Sequence, residues 1–145
     1  MFKRSITLAL LAGALFVTGC ASVPMASPQS DAAAKTFLTS PSKANVYIYR
    51  HESFGAAIKM PLLIDNVAVG DTAAKTYVLK QLDPGQHVIL SKTEVDATLV
   101  LDAEAGNNYF VWQEVKLGLA AARSQLHLVD EATGKAAVMK CRLVQ

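Results

Sequence analysis

Hydrophobic and polar positions divide the chain into stretches of different grammar. Ile6 to Val17 is an almost unbroken apolar run behind a short cationic start, Lys3-Arg4. A run of that length is too short to span a bilayer comfortably, and its flanks are those of a cleavable export signal over residues 1–19. Residues 20–43 lose all periodicity and are rich in Ala, Ser and Pro, including Pro24, Pro28 and Pro41. That composition predicts a flexible tether. Within it, Asp31 to Leu38 predicts a short helix capped by Asp31, with Phe37 and Leu38 placed to dock on whatever follows.

From Ala44 to the end, short β-rich runs are punctuated by turn residues, which places one domain over 44–145. Val46 to Arg50 is apolar on both faces, as a central strand is. Runs at 61–64 and 67–70 flank Asp65-Asn66, a pair that tolerates the positive φ of a tight hairpin. A strand at 77–82 is closed by Asp83-Pro84-Gly85. Further strands follow at 86–93, 97–103, 109–115 and 125–129, with Gly106-Asn107-Asn108 turning into the aromatic run Tyr109 to Trp112. Leu117 to Ser124 reads as a helical turn weakened by Gly118, or as a loop. Asp130 to Met139 reads as a short capped helix or as a hairpin leading to a last strand, and Ala136-Ala137 tilt it to the helix. The fold class is mainly β, an antiparallel β-sandwich of about seven or eight strands with a possible short C-terminal helix.

Leu15-Phe16-Val17-Thr18-Gly19-Cys20 resembles the bacterial lipobox, in which small residues precede a Cys that is acylated on sulfur and freed by cleavage after Gly19. The resemblance implies lipid attachment at Cys20. Ala21, where Asp would mark retention in the inner membrane, implies the outer membrane, with the domain facing the periplasm. Cys141 is then the one thiol left, so no internal disulfide forms. Its alternation with Met139 and Leu143 predicts a buried, inert side chain.

Charge narrows the partners. The 14 basic and 12 acidic residues give +2, a surplus that disappears with Lys3 and Arg4. A neutral domain without a basic stripe excludes nucleic acid, and no run of basic residues offers itself to anionic lipid.

Candidate chemistry is sparse. His51, His87 and His127 are far apart in sequence, with no His-x-x-x-His and no Cys-x-x-Cys, so no metal is expected. Ser53, Ser91 and Ser124 lie in no nucleophile elbow, and Thr133-Gly134-Lys135 lacks the first glycine of a phosphate loop. No catalytic residue and no cofactor is expected. Phe110, Trp112 and Glu114 share one strand face, and Tyr109 and Val111 the other. Core filling explains one set. Glu114 needs a cation such as Arg123 or Lys116 if its face is covered. The candidates for a ligand or partner surface are Tyr47, Tyr49, His51 and His87.

The order Ala44-Asn45-Val46-Tyr47-Ile48-Tyr49-Arg50, Ile64-Asp65-Asn66 through Gly70, Pro84-Gly85-Gln86-His87 and Gly106-Asn107-Asn108-Tyr109-Phe110 resembles small bacterial lipoproteins that share domain of unknown function 2846. The central part also resembles a PEGA-like β module, with Asn66 in place of the usual Gly. The resemblance implies an envelope location and a β-rich accessory domain, with no activity attached. The expectation is a membrane-anchored lipoprotein with a non-catalytic binding or accessory domain, whose partners are the membrane and envelope proteins. A small envelope hydrolase acting on peptidoglycan or glycan would require His51, His87 or His127 to meet an acid or Ser91 in a concave pocket. A structural spacer is the other alternative.

Overall fold

The computed structural model describes residues 20–145. The signal segment 1–19, with the expected cleavage after Gly19, lies outside the described residues.

The chain forms α1 (Pro28–Ala34), β1 (Ala44–Arg50), β2 (Met60–Ile64), β3 (Val67–Thr72), β4 (Thr76–Leu82), β5 (Gly85–Ser91), β6 (Ala97–Ala103), β7 (Asn108–Lys116), β8 (Arg123–Val129), α2 (Glu131–Val138) and β9 (Arg142–Leu143). A five-stranded sheet ordered β8-β7-β1-β4-β9 packs on a four-stranded sheet ordered β3-β2-β5-β6. The smaller sheet is antiparallel throughout. The larger one is mixed, because β1 runs parallel to β7 and β4 parallel to β9. Parallel neighbours need a long crossover, and here the whole second sheet supplies the one between β1 and β7.

Alternation explains why every residue of β1 is buried. Val46 and Ile48 point between the sheets, where they meet Val78, Val111, Leu62, Ile64, Ile89 and Leu101. Tyr47 and Tyr49 point the other way, into a second cluster with Tyr77, Phe110, Ala137, Val138 and Cys141. The two helices cover that outer face. The sandwich therefore carries a third, partial layer, and β1 is its doubly covered centre.

The turn chemistry follows the sequence closely. Asp65 and Asn66 adopt φ of 51° and 65°, the tight-hairpin geometry. Gly106 turns into β7 at φ 83° with nothing near a Cβ, so backbone angle alone selects it. Asp130 caps α2 by accepting from the backbone N–H of Thr133 at 2.9 Å.

The tether reading is corrected. The Ala21 N–H donates to Ala56 O at 2.8 Å, Met25 bridges to Val144, the Ala26 N–H donates to Leu143 O, and the Gln145 N–H donates to Pro24 O. Val23 is buried in the main core. Backbone pairing with the C-terminal strand and apolar Val23 and Met25 thus hold residues 21–26 on the domain. The short helix begins three residues earlier than expected, with Ser27 as cap and Pro28 in the first position. Asp31 is released from capping and turns to the sheet. Phe37 docks beside Tyr47 and Phe110, while Leu38 stays 78% exposed. Residues 117–122 form an irregular loop, whose Leu119 and Ala120 N–H groups donate to Glu94. Among the described residues no helix is long and apolar enough to cross a membrane.

Candidate functional site

Where β1 ends beside β7 and β8, one face of the mixed sheet collects a row of rings. Tyr49 and Trp112 are Cα partners across the parallel pair, and Trp112 and His127 across the antiparallel one. His51, just past the end of β1, falls on the same face as Tyr49. Ring centroids then follow at 5.6 Å from Tyr49 to His51, 5.4 Å from His51 to Trp112 and 4.9 Å from Trp112 to His127, the last pair stacked. These spacings lie in the range of favourable aromatic contact.

Two carboxylates fix the row. Glu52 accepts from Trp112 Nε1 at 3.0 Å and from the Val115 N–H at 3.1 Å, which sets the indole plane. Glu114 lies 2.8 Å from His127 Nε2 and 2.6 Å from Lys116 Nζ. The Lys116 ammonium holds the Glu114 carboxyl below its usual range against the opposing effect of burial, and His127 adds a lesser lowering. Lys116 is thus the cation that Glu114 takes, and Arg123 pairs instead with Glu94 at 2.7 Å. His51 Nδ1 is buried and without a hydrogen-bond partner. Tyr49, His51 and Trp112 of the row, together with Val129 and α2, line a cleft of about 370 Å³ that Thr133 and Lys140 border.

The four residues singled out from sequence have different fates. His51 stands in the cleft. Tyr49 closes its floor, but at 1% exposure it presents no surface of its own. Tyr47 is equally buried; its ring stacks on Phe110 at 5.0 Å and its hydroxyl donates to Ala34 O, so it is a core residue under α1. His87 is at the opposite end of the sandwich. Its Nδ1 lies 2.6 Å from Asp65 Oδ2 and its Nε2 2.8 Å from Asp83 O, so it clasps the β2–β3 turn to the β4–β5 turn.

A polar patch inside the sandwich was not foreseen as a unit. Gln113 Nε2 donates to Ser91 Oγ at 2.6 Å, Ser124 Oγ donates to Ser91 Oγ, and Thr72 donates to Gln113 Oε1. Ser91 is fully buried there, and among the described residues no histidine hydrogen-bonds to it. The alternation Val111, Gln113, Val115 is the signal that puts Gln113 inward. No group of His, Cys, Asp and Glu with metal-binding geometry occurs among the described residues. Cys141 is buried, and burial pushes its thiol up to about 11 despite Lys75 and Lys35 nearby.

A family model described as "Protein of unknown function (DUF2846)" matches residues 40–125. The chain belongs to this family. The matched segment holds every strand from β1 through β7 and the start of β8, so it includes His51 and Trp112 of the ring row and the carboxylates Glu52 and Glu114 that hold it. His127, Thr133 and Lys140 lie beyond it. An uncharacterized protein of Haemophilus influenzae is 36% identical over 146 residues, covering 99% of this chain and 84% of the relative. No solved structure matches this member of the DUF2846 family.

Proposed function

We propose that this DUF2846 protein is an envelope lipoprotein, acylated at Cys20 and held at the outer membrane. Its domain binds rather than catalyses, and the His51–Trp112–His127 stack is the platform for a saccharide. The stack carries the reading. Sugar rings present C–H faces that lie on aromatic planes, while their hydroxyls need fixed acceptors and donors. Glu52 and Glu114 stand beside the rings, and Thr133 and Lys140 border the cleft. Catalysis by a serine would need a hydroxyl within reach of an imidazole, and Ser91 is committed to Gln113 and Ser124 instead. Acylation rests on the Gly19-Cys20 pair behind the apolar run. The three acyl chains that the lipobox implies exceed what stable anchoring takes.

The chain has a single tryptophan, so intrinsic emission reports on the platform alone. Titrating the detergent-extracted protein with soluble chitin oligomers should change Trp112 emission saturably in the wild type and weakly in His127→Ala. Emission that stays constant through the titration contradicts the saccharide platform.

A further inference from the structure

The strand register brings several distant segments to one end of the sandwich. β1 and the parallel β7 both finish there, at Arg50 and Lys116, and β4 begins there, opposite Arg50. The loops 51–59, 73–75, 92–96 and 117–122 therefore share this pole. Cys20 joins them, because the Ala21 N–H is held by Ala56 O within loop 51–59. That loop is itself fixed from below: the buried Arg50 guanidinium donates to Ile58 O at 2.8 Å and Gly55 O at 2.9 Å.

The pole is apolar, with lysines around its apolar patch. Phe54 is 53% exposed, Leu117 82% and Leu119 93%, and they line one cavity of about 410 Å³. Exposing three large apolar side chains side by side is costly in water. Lys59, Lys75, Lys92 and Lys116, dispersed in sequence, are all exposed at this end. Two of the nearby carboxylates are paired off, Glu94 with Arg123 and Glu114 with Lys116, while Glu52 accepts from Trp112. That leaves Lys59, Lys75 and Lys92 as the lysines here without a carboxylate partner among the described residues. Of the carboxylates, Asp71 and Asp96 remain. At the far pole Asp65, Asp83 and Glu131 are paired with His87, Lys43 and Lys135, and the exposed Glu104 and Asp130 are left without a cation among the described residues.

We infer that the Cys20 pole lies on the membrane surface, with Phe54, Leu117 and Leu119 set among the lipids and Lys59, Lys75 and Lys92 facing anionic headgroups. The inference rests on the acylation proposed above. Residues 21–26 leave no free spacer between the acylated sulfur and the domain, so the lipid chains leave the protein beside this patch. Apolar side chains then enter the interface with basic residues around them, the usual composition of a surface-lying segment. The acyl chains supply the affinity, and the pole supplies a fixed orientation, with the opposite end outward.

The test uses the acylated full-length protein in vesicles of phosphatidylethanolamine and phosphatidylglycerol. A polarity-sensitive fluorophore is placed on Leu119→Cys or, at the far pole, on Val67→Cys, and spin-labelled lipid serves as quencher. The expected result is a blue shift and loss of most emission at position 119, with neither at position 67. Adding Leu117→Asp to the Leu119→Cys protein should restore emission while the protein still sediments with vesicles. Sedimentation with an unquenched probe at 119, equal quenching at both positions, or probe-to-probe quenching between two copies overturns the docked pole alone. Protein that fails to sediment with vesicles overturns the acylation reading with it.

Discussion

At the scale of single residues, position decides chemistry. His87 has an acceptor at each ring nitrogen, Asp65 on one side and the Asp83 carbonyl on the other. Only the doubly protonated ring donates to both. The hydrogen bond to Asp65 and then that to Asp83 O raise the His87 pKa above its ordinary value, against a small opposing effect of burial. A raised folded pKa gives stability that is fully present below the unfolded value, about 6.5, and is lost as pH rises through the folded one. Thermal melts from about pH 6 to about pH 8 should therefore show a fall in Tm that is smaller in His87→Gln. Equal falls in both proteins would remove His87 from the pH dependence. Asp31 shows the same dependence on place. Burial opposes its charge, but Lys35, the Tyr77 hydroxyl and the Leu143 N–H outweigh that and lower its pKa. Sequence alone shows Asp31 at the start of a short helix and cannot show that the sheet takes it.

At the scale of elements, strands were legible and partners were not. Turn residues such as Asp65-Asn66 and Gly106 punctuate the chain locally, so strand positions follow from neighbours in sequence. The parallel pairing of β1 with β7 depends on residues some sixty positions apart and leaves no local mark. The α1 start was legible in principle, since Ser27-Pro28 is the cap and first-position pair, though Asp31 competed for the role. Gly134 completes no phosphate-loop motif, and its place in the fold is set by packing. A Cβ there would sit 2.2 Å from the Phe110 side chain, so α2 lies on β7 only because the residue is glycine. Gly134→Ala should cost about 1–3 kcal/mol as an overpacked contact, read as a lower denaturation midpoint. Unchanged stability would mean that α2 is free to shift. The exposed Ala136→Ser makes the matching control and should leave the midpoint in place.

At the scale of the whole molecule, the fold gives the sandwich two unlike ends and one patterned flank. Chain order hid all three. His51 and Trp112 come together because β1 and β7 are adjacent strands, and His127 joins because β8 pairs with β7. Lys59, Lys75 and Lys92, dispersed in sequence, come to one end in the same way, which a search for basic runs misses. The docked N-terminal segment matters most for how the protein works. With residues 21–26 bound to Ala56, Leu143 and Gln145, the domain follows whatever Cys20 is attached to. A fixed orientation and a periplasmic binding flank both require that attachment to be lipid. The direct measurement is metabolic labelling with palmitate, followed by isolation of the wild-type protein and of Cys20→Ser. The account predicts label in the envelope-bound wild type and none in the variant; label retained by Cys20→Ser, or an unlabelled wild type, contradicts it.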